Sequence, residues 1–244
     1  MIIQRVAAAV KHHDWSLFLL EVLVVVVGLF IGLQVDDWNE SRKDRQREEI
    51  YLARIYDELA ADIENINYGI EIAENRRDMG QLLIAALADP ELAVQDPFAF
   101  FSAIEEAAYT FHPLINDFSF QELQFAGEFG IIRDVALRQA LTEYYNKIDN
   151  EDQWTYLRVH AQNAYNDGKI QVLTLDQQAR VVTQDPDAKF TPQETLETLE
   201  RMRTHPEFVA EIFRASNHYD AIWTYVKWRD AAVQLRDRIG RARD

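Results

Sequence analysis

Residues that could carry out catalysis or bind a metal are present, but they lack the spacings that such sites need. None of the six histidines belongs to a His-Glu-x-x-His or Glu-x-x-His pair, the arrangements that place zinc or di-iron ligands on one helix face. The chain has neither a glycine-rich phosphate loop nor a Gly-x-Ser-x-Gly nucleophile turn. We therefore expect a protein that is not an enzyme, with no catalytic residues, no cofactor and no metal site.

The charge and the absence of cysteine exclude further classes of function. The chain carries 41 acidic against 25 basic residues, a net charge of −16, which disfavours nucleic-acid binding because phosphate recognition needs a basic face. Adjacent acidic pairs such as Glu105 and Glu106 point in different directions on a helix and are typical of a solvated surface. No cysteine is present, so disulfides, thiol nucleophiles and thiolate metal sites are excluded.

Residues 17–35 form an apolar run, and the rest of the chain must be arranged relative to it. As a helix it spans roughly 28 Å, close to the ~30 Å hydrocarbon core of a bilayer. A cleaved signal peptide would have a shorter apolar region, about 7–15 residues, and a small-residue cleavage site, whereas Asp36, Asp37, Trp38 and Asn39 follow here. A buried helix of a soluble protein is seldom apolar on every face. The run predicts a retained transmembrane anchor at residues 15–38.

The flanks of this anchor predict how it meets the lipid. Trp15 and Trp38 bracket the run as an aromatic belt would, because tryptophan is enriched at both membrane interfaces. Residues 1–14 predict a short amphipathic helix that lies at the interface, with Arg5 and Lys11 reaching the headgroups. Membrane lipid is therefore one expected partner.

Three residues inside the anchor are candidate contacts with another membrane helix. Gly28 and Gly32 have the small-residue spacing that lets two helices approach closely. Glu21 is an ionisable group within the apolar run; such groups normally find a partner in lipid, although this one could also reach the nearby interface.

Two ways of counting charge disagree about the orientation. Lysine and arginine alone favour a cytoplasmic C-terminal flank, whereas net charge favours a cytoplasmic N-terminus. Because long domains translocate largely regardless of charge, we expect a single-pass protein of the bacterial inner membrane with a periplasmic C-terminal domain.

Beyond the anchor, residues 39–244 are predicted to form one acidic, helical-bundle domain. Residues 36–68 contain neither proline nor glycine, so one helix should continue from the membrane to about residue 88. A heptad seam repeats along it at Leu52, Tyr56, Leu59, Ile63, Ile66, Ile70 and Ala73. In register with this seam lie Leu17, Glu21, Val24, Gly28, Ile31, Val35 and Trp38. Both a coiled-coil oligomer and a helix inside a single-chain bundle would show such a seam.

Capping and turn signals predict the remaining helices. They are expected at residues 97–111, 117–126, 134–166 (closed by Asp167 and Gly168), 191–203, and from Pro206 onward. The final helix should bury Phe208, Ile212, Tyr219, Ile222, Trp223, Val226 and Val233. Residues 169–190 fit either a short strand or a helical turn. The fold class is all-α, an antiparallel helical bundle that continues from the transmembrane helix.

Two stretches together resemble a known family. Residues 20–40 run from the apolar segment into Asp-Asp-Trp-Asn-Glu, with Arg42, Lys43, Tyr51 and Leu52 beyond, and residues 118–134 read FSFQELQFAGEFGIIRD. Downstream positions that belong to the same pattern are Leu137, Leu141, Tyr144 and Tyr145. These features resemble a bacterial family of N-terminally anchored proteins known only as a domain of unknown function, over about residues 17–150. The resemblance implies a single-pass membrane protein and assigns no catalytic residues.

Three functions are compatible with these observations. The first is a non-enzymatic, membrane-anchored helical protein that is an accessory subunit of a larger membrane complex or a homo-oligomeric scaffold. The alternative is an extracytoplasmic helical-bundle sensor or ligand-binding domain, although the chain shows no second apolar span that would return a signal. A bundle enzyme with a site assembled from distant residues has the least support. The expected partners are lipid and either a second copy or a membrane protein complex, with no nucleic acid.

Overall fold

A computed structural model describes residues 15–151, 154–183, 189–216 and 219–243, and its regular secondary structure over them is helical, without a strand. The predicted all-α fold is confirmed. The described residues form ten α-helices, with one short 3-10 helix, Phe129–Ile131, between α4 and α5. The α-helices are α1 Trp15–Ala88, α2 Pro90–Gln95, α3 Pro97–Glu106, α4 Phe118–Phe125, α5 Val135–Glu151, α6 Trp154–Val172, α7 Leu175–Val182, α8 Pro192–Arg203, α9 Pro206–Ser216 and α10 Tyr219–Arg243. The amphipathic segment predicted for residues 1–14 lies outside the described residues.

Helix α1 is a single helix of 74 residues, roughly 110 Å long at about 1.5 Å per residue. Its N-terminal part contains an 18-residue window of mean hydropathy 2.6 of which no residue is buried, so it is long and apolar enough to cross a membrane. The predicted end near residue 88 is confirmed. Asp89 caps the next helix by accepting a hydrogen bond from the Glu91 amide at 3.2 Å, and Pro90 begins that helix.

The heptad seam of α1 packs inside the chain itself. Every predicted seam position from Leu52 to Ala73 is buried or packs against a hydrophobic core. The opposite face of the helix is exposed and acidic at seven-residue intervals, at Asp57, Glu64, Glu71 and Asp78. Of the two arrangements compatible with the seam, the structure therefore shows a helix within a single-chain bundle.

The first of two hydrophobic cores surrounds the part of α1 nearer to the apolar segment. It joins α1 to α4, α5 and α10 through the side chains Leu52, Ile55, Leu59, Ile66, Ile70, Phe120, Leu123, Ile132, Leu137, Leu141, Tyr144, Tyr145, Ile148, Tyr225, Trp228, Ala232, Leu235 and Ile239. Helix α10 runs antiparallel to α1, because Ala221 and Ala73 line one small cavity whereas Gly240 lies against the Tyr56 ring. The C-terminal end of α10 therefore points toward the apolar segment.

The second core covers the distal end of α1. Helices α2, α3, α6, α7, α8 and α9 bury mainly aliphatic and aromatic side chains there, of which the largest are Leu83, Phe100, Phe101, Ile104, Tyr165, Phe208 and Ile212. Thr191 and Glu194 form the predicted capping box at the start of α8. Both cores share α1, so one helix connects the apolar segment to the whole folded domain.

Two predicted boundaries differ from the structure, and one stretch that the sequence left open proves to be helical. Helix α3 ends at Glu106 rather than at about residue 111, and residues 107–117 form an irregular connection that lies against α1. Gly168 does not end a helix: α6 continues to Val172, and Phe208 of α9 packs directly on Gly168, where there is no room for a side chain. Residues 175–182 of the ambiguous stretch are helical, with Thr174 providing the cap of α7.

The C-terminal region also differs from the prediction. Instead of one helix from Pro206, the structure has α9 and α10 on either side of residues 217 and 218, which lie outside the described residues. The predicted burial of Trp223 is wrong, since 61% of this residue is exposed, with the Lys227 ammonium 3.0 Å from its ring centre. Val233 is exposed as well. The periodicity correctly predicted a helix here, but it assigned these two residues to the face that packs on α1, and they lie outside that face.

Candidate functional site

The apolar segment of α1 carries the anchor residues and the flanking tryptophans that the sequence suggested for membrane contact. Trp15, Glu21, Gly28, Gly32 and Trp38 all lie on this one helix and are exposed. Trp15 and Trp38 are separated by roughly 35 Å along the axis, a spacing between the ~30 Å hydrocarbon core and the ~40–45 Å full bilayer. A side-chain carbon added at Gly28 or Gly32 would meet no atom within 4 Å. The domain of this chain therefore leaves both glycines open, and their contact with another helix stays a prediction.

Arg47 and Glu48 lie on α1 beyond the apolar segment, and both side chains bind the rest of the domain. Arg47 is hydrogen-bonded to Asp44 on its own helix and to Glu128 in the connection between α4 and α5. The buried carboxylate of Glu48 accepts hydrogen bonds from the Arg133 amide at 2.8 Å and from Arg133 Nε at 2.7 Å. Charge-assisted bonds of this kind are stronger than neutral ones, so the connection between α4 and α5 is held at a defined height on α1.

Two further carboxylates on α1, Glu58 and Asp62, lie one turn apart, and both face the rest of the domain. Asp62 is fully buried, and its Oδ1 accepts hydrogen bonds from both the amide nitrogen and Nδ2 of Asn116, each at 2.8 Å. Oε1 of Glu58 accepts bonds from the Ser119 hydroxyl at 2.6 Å and from the Ser119 amide at 3.3 Å. The pair therefore holds the irregular connection 107–117 and the start of α4 against α1.

The surroundings of this pair favour the protonated carboxyl. Burial raises the pKa of Asp62 to about 6, although bonds from Asn116 and Tyr144 act in the opposite direction. Burial also raises the pKa of Glu58, even though Ser119 donates hydrogen bonds to it. Among the described residues, the buried Glu58 Oε2 and the buried Tyr145 hydroxyl have no hydrogen-bond partner. The site is thus acidic and able to hold a proton near neutral pH.

Sequence reasoning missed Glu58 and Asp62, although one signal was present. Asp62 follows Ile55 by seven residues and precedes Gly69 by seven, so it stands in a row of buried positions on α1. A polar residue in such a row needs hydrogen-bond partners from elsewhere in the fold. Among the described residues, no group of three or more His, Cys, Asp or Glu side chains converges in a way that could hold a metal ion.

Comparison with known proteins places these features within one family. A family model matches residues 21–190, which is more than half of the chain. The chain belongs to DUF6090, a family of unknown function. The DUF6090 match begins at Glu21 in the apolar segment and includes Glu48, Glu58 and Asp62, whereas α8, α9 and α10 lie beyond it. The family resemblance expected over residues 17–150 is confirmed and extends further along the chain. No curated protein and no solved structure matches the chain.

Proposed function

We propose that this DUF6090 protein is a single-pass protein of the bacterial inner membrane that serves as a non-enzymatic accessory subunit or scaffold. One observation carries this proposal: the exposed apolar segment and both hydrophobic cores belong to the same uninterrupted helix α1. A helix that runs without a break from lipid into a folded domain holds that domain at a fixed distance from the bilayer. This arrangement suits a structural role better than a flexible tether would.

The anchor is the surface that we propose for assembly. Within the domain, the seam of α1 is already covered by the chain itself, and the face left exposed carries Asp57, Glu64 and Glu71. A second α1 packed in parallel on that face would bring like charges together, which is unfavourable. In the apolar segment, by contrast, Gly28 and Gly32 offer an uncharged surface for close helix approach.

Co-purification in mild detergent tests this role. The full chain, tagged after residue 244, is extracted and its complex is analysed by size and composition. A stoichiometric complex with another membrane protein supports the accessory-subunit role, and a defined homo-oligomer supports the scaffold. A protein that is monomeric under gentle extraction and after cross-linking in native membranes would contradict both.

We further propose that the domain is periplasmic, and a reporter fusion tests this orientation. The last described residues of α10 are exposed at the domain surface, so a fusion after residue 244 should not disturb the core. Alkaline phosphatase placed there should be active. An inactive phosphatase together with an active cytoplasmic reporter at the same position would reverse the orientation.

A further inference from the structure

Helix α7 exposes apolar side chains that a surface helix normally turns toward the core. Leu175, Ala179 and Val182 follow one another at spacings of four and three residues, so they lie on one face of the helix. All three are exposed, Leu175 to 86% and Val182 to 66%. This face is called the α7 stripe below.

The opposite face of α7 is fixed to the domain mainly by polar contacts. The buried Gln177 donates a hydrogen bond to the Thr198 hydroxyl at 3.2 Å and accepts one from Arg201 at 3.0 Å. Arg180 forms an ion pair with Glu194 at 2.6 Å. Charge-assisted bonds are stronger than neutral ones, and α7 would have to break several contacts to turn its stripe inward. The stripe is therefore held outward in one orientation.

Uncharged residues flank the stripe within the described part of this helix. Gln178 and Thr183 lie on either side of it. The one acidic residue of α7, Asp176, is farther round the helix and forms an ion pair with Arg180 at 2.7 Å. The stripe is thus a neutral, apolar surface on a chain whose net charge is −16.

A second copy of the chain fits this surface better than a charged partner does. Two copies with a net charge of −16 repel each other, so contact between them is favourable only where acidic side chains do not meet. The exposed face of α1 is acidic, and on α4 Glu122 lies between Phe118 and Phe125. A basic partner would gain most from an acidic surface, which the stripe does not offer. The small side chain of Ala179 at its centre also lets an identical helix approach closely.

The small area of the stripe makes this contact dependent on the membrane. Two large aliphatic side chains and one alanine offer on the order of 200 Å² per copy, well below the ~800 Å² per partner of a stable interface. Two chains anchored in one bilayer meet at a high effective concentration, at which such a weak contact can form.

We infer that the α7 stripe binds the same stripe of a second copy of this chain, related by two-fold symmetry and anchored in the same membrane. A two-fold contact is self-complementary, and Ala179, at the centre of the stripe, then lies nearest to the symmetry axis. The inference rests on the proposed anchor and deepens the scaffold role. It joins the two copies at the distal end of α1, away from the bilayer.

The chain contains no cysteine, so one introduced cysteine reports on a single position. Ala179→Cys and Ala164→Cys are made in the full chain, and cells are separated into membrane and soluble fractions. Native membranes are then treated with a short, membrane-permeant bismaleimide, which reaches the domain on either side of the bilayer. Ala164 is the matched control, because it is an exposed alanine inside α6 and outside the stripe.

Each cysteine variant is also combined with a charge in the stripe or elsewhere. Leu175→Glu and Val182→Glu change the stripe, whereas Phe118→Glu adds the same charge at an exposed apolar residue of α4. Because all three residues are exposed in the single chain, we expect the melting temperature to stay unchanged.

The expected result is cross-linked dimer for Ala179→Cys in the membrane fraction, well above the level for Ala164→Cys. Leu175→Glu should lower the dimer at position 179 about tenfold or more, since burial of one leucine changes an equilibrium constant by at least that factor. Val182→Glu should act in the same direction, and Phe118→Glu should leave the dimer unchanged.

Other outcomes separate this contact from the anchor. Equal cross-linking at positions 179 and 164, or a dimer at 179 that both stripe variants leave unchanged, would overturn the stripe contact in a chain that still resides in the membrane fraction. Cross-linking of position 179 mainly to a protein of another mass would overturn it as well. A chain found in the soluble fraction would refute the anchor and this inference with it.

Discussion

Asp62 of the long helix is hydrogen-bonded twice to Asn116 in the irregular connection that follows α3. One carboxylate oxygen accepts two hydrogen bonds from the same residue, one from its amide nitrogen and one from its side chain, both at 2.8 Å. Asp62 is fully buried at this point, and the Tyr144 hydroxyl donates to its other oxygen at 3.4 Å. Asp62 thus holds one point of a segment that has no regular structure, and Arg76 holds another through its hydrogen bond to the Ala107 carbonyl.

This link predicts a stability that depends on pH. Because burial raises the pKa of Asp62 from 3.8 to about 6, the folded protein holds this proton more tightly than the unfolded chain does. The stabilisation that comes from this bound proton is complete below about pH 4 and is lost as the pH rises through about 6. Above that value the contribution of Asp62 to stability no longer changes with pH. Glu58, whose pKa is raised as well, acts in the same direction. Denaturant titrations from pH 5 to 8 should show stability falling with pH, and Asp62→Asn should flatten this slope.

Comparing alanine with asparagine at position 62 separates the contribution of the hydrogen bonds to stability from that of the charge. Asp62→Ala leaves two Asn116 donors without an acceptor, at roughly 1–3 kcal/mol for each buried group, whereas asparagine keeps an acceptor oxygen. We expect Asp62→Ala to lower the free energy of unfolding well below that of Asp62→Asn at pH 7.5. Equal stabilities for the two variants would show that Asn116 gains nothing from this acceptor.

Two glycines in helix interiors should respond in opposite ways to alanine. At Gly168 a new Cβ would lie 2.6 Å from Phe208 Cδ2 and 3.0 Å from Phe208 Cβ, so α6 and α9 must separate. Overpacking costs about 1–3 kcal/mol, more than the ~1 kcal/mol that alanine adds in helix propensity. At Gly240 the new Cβ would make an ordinary contact, 3.6 Å from Tyr56.

Thermal melts of both variants measure the difference directly. Gly168→Ala should melt below the parent protein, and Gly240→Ala at or slightly above it. The contact between Gly168 and Phe208 would be refuted as a packing constraint by a Gly168→Ala variant that melts higher than the parent.

The sequence predicted α1 and most helix starts because those depend on local chemistry. The absence of proline and glycine after the apolar run, the Asp96 cap, and the box at Thr191 and Glu194 are all visible in neighbouring residues. Gly168 was misinterpreted as a helix end, since its actual role depends on Phe208, forty residues later. Local pattern cannot distinguish a glycine that ends a helix from one that makes room for another helix.

The same limit applies to the candidate site. The apolar segment and its flanking tryptophans are a local property and could be recognised from composition alone. The pairing of Asp62 with Asn116 joins residues 54 positions apart and is set by how α4 and α5 pack on α1. Similarly, Arg236 and Arg243 of α10 reach the Tyr56 ring of α1 only because the two helices run antiparallel.

Substitutions at the two glycines of the apolar segment should change assembly without changing the fold of the domain. Neither Gly28 nor Gly32 has an atom within 4 Å of a new Cβ, so Gly28→Ile and Gly32→Ile should leave the melting temperature of the domain unchanged. Gly28 shares the heptad register of Leu52, and we expect Gly28→Ile to disrupt the complex more than Gly32→Ile. Glu21→Ala should only weaken it, since a polar contact in lipid contributes about 1–2 kcal/mol or less.

Native electrophoresis and detergent chromatography compare these assemblies with the parent. Identical complexes for the parent, Gly28→Ile and Gly32→Ile would mean that the apolar segment is only a tether. Assembly would then depend on surfaces of the helical domain.

The central claim is that α1 itself anchors the folded domain in the membrane, and alkaline carbonate extraction tests it most directly. Membranes from cells that express the full chain are washed with alkaline carbonate, and the intact mass of the protein in pellet and supernatant is determined. An anchor that stays in place predicts the uncleaved chain in the pellet, released only by detergent. Release of the intact chain by carbonate, or a pellet without residues 1–35, would contradict this account.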